Sequence, residues 1–135
     1  MTEQDAFDGL LPLVREVTGA REDQIRMESN LMEDLGAESL DLLDLSFLIE
    51  ETFGVTIPAD EFEQQATRRM PGLVYERDGA LTEEAVVELR AALPEVPPER
   101  IQPGMMKLYV PQVLTVAVFV HLIQRKLAEA ATGGE

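Results

Sequence analysis

Cysteine is absent from this 135-residue chain. That excludes a disulfide framework, a thiolate metal site and a cysteine nucleophile. Histidine occurs once, at His121, so a Ser/His triad or a His-rich metal site is hard to assemble. Basic residues are scarce: 11 Lys/Arg stand against 26 Asp/Glu, a net charge of −15. A chain that acidic repels nucleic acid and anionic membranes and favours basic protein surfaces. The longest apolar run, Val113 to Val120 broken by Thr115, is too short to span a bilayer. No basic segment followed by an apolar one suggests a signal peptide, so the expected compartment is the cytoplasm.

What is present is enough for a folded domain. Hydrophobic residues make up 45% of a 15.0 kDa chain, which fits one domain with a modest core. The charge is uneven. Residues 1–65 hold 17 acidic and 3 basic residues, whereas residues 66–135 hold 9 and 8. Phe7, Leu10, Leu11, Val14 and Val17 recur at helical spacing and predict a first helix over 3–17, which Pro12 should kink or delay. Gly19 suits a left-handed stop. A long connection over 18–38 follows, with Ile25 and Leu31 as the apolar pins and Gly36 at a turn.

Residues 39–53, SLDLLDLSFLIEETF, predict a second helix ending at Gly54. At 100° per residue, Leu42, Leu45, Ile49 and Phe53 form one stripe, and Leu40, Leu43 and Phe47 form another. Asp44, Glu50 and Glu51 flank the second stripe. One stripe is enough to bury a helix in a small bundle. The second is either covered by residues 66–110 or left as a docking patch ringed with carboxylates.

Residues 56–64 predict a short turn of helix, with Pro58 suited to a first-turn position. Thr82 to Leu93 predicts a helix capped by Thr82, with Val86, Leu89 and Leu93 on one face. Asp78-Gly79 suggests a small hairpin before it. The last helix is expected over 115–130. Val116, Phe119, Val120, Ile123 and Leu127 share a face there, His121 is solvated, and residues 132–135 fray.

The informative string is Leu31-Met32-Glu33-Asp34-Leu35-Gly36-Ala37-Glu38-Ser39-Leu40. It puts a serine at the exposed start of an acidic helix. A phosphodiester on Ser39 would meet free backbone N–H groups and the positive end of the helix dipole. The plain alternative is an ordinary capping or first-turn serine. Here the sequence resembles the acyl carrier proteins, whose pattern is a Leu-Gly-x-Asp-Ser-Leu block at the start of helix II. Leu35-Gly36-Ala37-Glu38-Ser39-Leu40 matches it, with Glu38 in place of the usual Asp, and Asp34 agrees as well. The likeness covers roughly residues 5–65 and 112–130.

The resemblance implies an all-α fold: a four-helix acyl-carrier-like bundle with a long helix I–II loop and an extra, partly helical insertion. It implies one domain over 1–135 in which residues 66–111 are inserted between the third and last helices. It implies 4′-phosphopantetheine attached covalently to Ser39, with Glu38, Leu40, Asp41, Leu43, Asp44, Phe47, Glu50 and Glu51 as partner-docking residues. No catalytic or metal-binding residue is implied. Expected partners are a phosphopantetheinyl transferase and acyl-transferring, condensing or acyl-activating enzymes with basic docking surfaces. Nucleic acid and membrane are not expected, and the chain should be a monomer. The inserted segment is expected to fold as a lid, with Met70, Leu73, Met105, Met106, Leu108 and Tyr109 against the carrier body. The rival readings are a peptidyl or aminoacyl carrier, a helical adaptor that keeps the fold, and an enzyme built on a carboxylate pair.

Overall fold

The computed structural model describes residues 1–133. The fold is all-α: α1 (Glu3–Thr18), α2 (Ser39–Phe53), α3 (Glu61–Arg68), α4 (Glu83–Ala92) and α5 (Val116–Gly133). A two-residue antiparallel hairpin, β1 (Glu76–Arg77) with β2 (Ala80–Leu81), pairs Glu76 with Leu81 and Arg77 with Ala80. The chain divides into two compact units, residues 1–59 with 115–135, and residues 60–114. Among the described residues no helix is long and apolar enough to cross a membrane.

The first unit is built on α1, α2 and α5, which pack on one another. Thr2 caps α1 by accepting the Asp5 N–H at 3.0 Å, and Gly19 closes it at φ 75°. Pro12 neither delays the start nor ends the helix; it removes one N–H from the ladder and the rest hold. The buried stripe of α1 is Ala6, Leu10 and Val14, whereas Phe7, Leu11 and Val17 sit half-buried at its edges. Phe53, at the end of α2, lies over Gly9: a Cβ at Gly9 would stand 2.7 Å from the Phe53 ring. This close approach of α1 and α2 needs a residue without a side chain. α5 buries more than one stripe, with Val116, Val118, Phe119, Val120, Leu122 and Ile123 all inside, while Leu127 is half-buried.

Two expectations are corrected in this unit. His121 is not simply solvated: its Nε2 lies 2.7 Å from Glu3 Oε2, tying α5 to the start of α1. α5 runs on to Gly133 instead of stopping at Ala130. The expected fraying of Gly134 and Glu135 lies outside the described residues.

The second unit packs α3 on α4. α3 starts at Glu61 with Asp60 at its N-cap position. Pro58 therefore precedes the helix and does not occupy its first turn. Thr82 caps α4 as expected, accepting the Ala85 N–H at 3.1 Å, and its hydroxyl also donates to the Val74 carbonyl at 2.6 Å. Val86, Leu89 and Leu93 are buried. Asp78 (φ 52°) and Gly79 (φ 84°) make the hairpin turn, in keeping with the two positive φ angles such a tight connection requires. The Leu81 N–H donates to the Met105 carbonyl, and the Lys107 N–H to that of Gly79, both at 2.8 Å. The segment Met105–Lys107 thereby runs along the free side of β2.

Lys107 Nζ bridges Glu76 at 3.1 Å and Glu63 at 3.6 Å, and these two carboxylates hold its pKa above the ordinary lysine value. Tyr75 is buried. Its phenol is pushed up, first by desolvation and then by Glu63 and Glu76. Of the apolar residues expected to be covered, Met70 is buried, but Leu73, Met106, Leu108 and Tyr109 are exposed. Burial in this unit comes from α3, α4 and the hairpin, and also from Ile101, Val110, Val113 and Leu114 near its C-terminal end.

Candidate functional site

The serine is positioned by the connection before it, and that connection is hydrogen-bonded almost residue by residue. The Asn30 side-chain oxygen accepts the N–H groups of Met32 at 3.0 Å and Glu33 at 2.8 Å. Asp34 Oδ2 accepts the Asn30 N–H at 2.8 Å, and the Asn30 carbonyl accepts the Asp34 N–H at 2.9 Å. The Ala37 N–H then reaches the Leu31 carbonyl at 2.9 Å. Leu31 is fully buried, Ala37 is 5% exposed and Ile25 is 4% exposed, so the loop is also pinned by its apolar residues. Gly36 turns at φ 77°, where a Cβ would be strained.

The loop is held on α5 as well. Val116 N–H donates to the Ser29 carbonyl at 3.0 Å and Ala117 N–H to the Met27 carbonyl at 2.8 Å, with an isolated bridge between Asn30 and Thr115. Asn30 and Thr115 were not foreseen in this role. The local signal is the asparagine itself, whose side-chain oxygen can accept the N–H two residues on, as it does from Met32.

Ser39 is the first residue of α2, and Glu38 occupies the N-cap position. Asp41 Oδ2 accepts the Glu38 N–H at 2.8 Å. The first helical bond runs from the Leu42 N–H to the Glu38 carbonyl. Among the described residues, the Ser39 hydroxyl and the N–H groups of Ser39 and Leu40 have no partner. Glu38, Ser39 and Leu40 are all exposed. The site is thus an unhindered hydroxyl beside two free backbone donors at the positive end of a 15-residue helix, which fits a phosphodiester.

The rest of α2 sorts into two sides. Leu42, Leu45 and Ile49 are buried. Leu40 (71% exposed), Phe47 (55%) and Leu43 (39%) face out, so the second apolar stripe is uncovered. Asp44 and Glu51 are exposed beside it and make no ion pair among the described residues. Two expected rim carboxylates are occupied elsewhere. Asp41 holds the Glu38 N–H, and Glu50 Oε2 accepts the Ile57 N–H at 2.6 Å, half-buried against the turn after Gly54. Among the described residues no group of three or more His, Asp or Glu side chains could hold a metal ion.

Ser39 thus stands with a free hydroxyl at the head of a helix, with an acidic and apolar face beside it. Residues 8–69 match the family model for a phosphopantetheine attachment site. The chain is 39% identical over 64 residues to an acyl carrier protein of Guillardia theta, covering 47% of this chain and 79% of that one. It is 43% identical over 58 residues to an acyl carrier protein of Campylobacter lari, covering 43% and 75%. It is 37% identical over 59 residues to the acyl carrier protein AcpXL of Brucella melitensis, covering 44% and 63%. No solved structure matches the chain. The chain belongs to the acyl carrier protein family, whose prosthetic group is covalently attached 4′-phosphopantetheine.

Proposed function

We propose that Ser39 carries the phosphopantetheine and that the chain presents acyl intermediates to partner enzymes in a specialised fatty-acid, lipid or polyketide pathway. The observation that carries this reading is the Ser39 hydroxyl itself: exposed, unbonded, and set at the helix end where two N–H groups are free. Nothing beside it activates it as a nucleophile, and a carrier needs no such group. Activation belongs to the phosphopantetheinyl transferase. Once bound, the arm supplies a thiol that holds an acyl group as a thioester.

The chain's own residues have three tasks in this scheme. The Asn30–Asp34 turn and the stapling of residues 27–30 to α5 fix where Ser39 stands. The free N–H groups of Ser39 and Leu40 stabilise negative charge on its oxygen. Leu40, Leu43 and Phe47, with Glu38, Asp44 and Glu51 around them, dock basic enzyme surfaces, and the charges accelerate encounter in a salt-dependent way. Asp41 and Glu50 keep the two ends of that helix in place. The insertion sets this chain apart from short carriers and is the element we assign to pathway specificity. The compartment is the cytoplasm, and the chain is a monomer in dilute solution.

Protein purified from its own cells tests the reading. Intact mass should show phosphopantetheine on one residue, mapped to Ser39, plus acyl species released by hydroxylamine. Aminoacyl species would move the assignment to a peptidyl carrier. An unmodified chain would leave the adaptor reading.

A further inference from the structure

The second unit shows a small surface unlike the rest of this acidic chain. Met70-Pro71-Gly72-Leu73 is a closed turn: the Leu73 N–H donates to the Met70 carbonyl at 2.9 Å, and Gly72 sits at φ 79°. Proline second and glycine third is the arrangement of a type II turn. The turn is anchored on both sides, by buried Met70 and by the Thr82 hydroxyl on the Val74 carbonyl at 2.6 Å. Yet it projects Leu73, 56% exposed, and Val74, 46% exposed. Arg68 and Arg69 directly precede it, exposed and without an ion pair among the described residues. An ordered, apolar, cationic knob pays little conformational entropy on binding, and what fits it is an apolar surface edged with carboxylates. This chain displays one: Leu40, Leu43 and Phe47 on α2, beside unpaired Asp44 and Glu51.

We infer that the Arg68–Val74 knob docks on the α2 face of a second copy of this chain. The contact is head-to-tail, since different patches meet. It is small for a stable interface and therefore transient. At about 0.15 M salt the Debye length is about 8 Å, so the repulsion between two net-acidic chains is screened while charges in contact still attract. Self-association hides the docking face when carrier is concentrated. The proposal rests on the docking reading of α2 and not on attachment at Ser39. A membrane is the poorer occupant, because two arginines fall short of the four to eight basic residues such recognition uses.

Sedimentation equilibrium of the full chain at about 0.15 M salt, up to about 1 mM, the range for weak contacts, tests it. The average mass should rise above that of the monomer with concentration. R68E/R69E and D44K/E51K, each checked for native circular dichroism, should each stay monomeric alone. Mixed in equal amounts they should associate again, because the two intact halves meet and the two charge-reversed halves are themselves complementary. Ser39→Ala should associate like the parent, which separates this proposal from the attachment reading. A parent chain monomeric throughout, or R68E/R69E associating unchanged, overturns it. So does arginine-dependent binding to phosphatidylglycerol/phosphatidylcholine vesicles without self-association, which would give the knob to a membrane.

Discussion

Single side chains decide whether the serine is usable, and they were legible to different degrees. Gly19, Gly36, Thr82 and Ser39 stand where local rules put them, because caps and positive-φ turns depend on near neighbours. Glu50 was not legible. Its acceptor bond to the Ile57 N–H spans seven residues across the end of a helix, and helical spacing alone assigns it to the acidic rim. The bond has a consequence. Glu50→Ala leaves a part-buried N–H without its charged acceptor, so stability should fall by about 1–3 kcal/mol, read from urea denaturation. An unchanged midpoint would mean that Glu50 is free for partners after all. His121 teaches the same lesson at longer range: its partner, Glu3, is 118 residues away, and no local pattern points to it.

Elements were read best where one periodicity dominates. α2 begins and ends as its stripe predicts, since Leu42, Leu45 and Ile49 face inward and Gly54 stops it at φ 71°. α3 was read too early because a proline is favourable in a first turn but is equally at home before one. The Asn30-centred turn escaped notice because its bonds are side chain to backbone, which apolar spacing does not report. The outward face of α2 carries the prediction proper to this scale. Asp44→Lys with Glu51→Lys should shift folding stability by no more than about 0.5 kcal/mol. The same double substitution should slow modification by a phosphopantetheinyl transferase and flatten the salt dependence of the rate. An unchanged rate at low salt counts against α2 as the docking face.

At the scale of the whole chain, the acidic carrier helices and the residue 60–114 unit have different physical characters. The inserted segment was expected to be ordered by methionines and other apolar residues at its ends. Of those only Met70 is deeply buried; the segment is ordered through α4, the hairpin and Lys107 on Glu76, and through α3 and Glu63 at its start. Contacts of this kind are not visible in periodicity, because they join short pieces far apart in sequence. Amides of residues 82–93 should accordingly exchange with solvent roughly 100-fold or more slower than in an unstructured peptide. Peptide-like exchange would show that this unit is not stably folded. The central claim is attachment at Ser39, and one measurement addresses it directly: intact mass after incubation with a phosphopantetheinyl transferase and coenzyme A, for the natural chain and for Ser39→Ala. The natural chain should gain a single phosphopantetheine, and the folded Ser39→Ala protein should gain none. A gain that persists in Ser39→Ala, or no gain in the natural chain, contradicts the account.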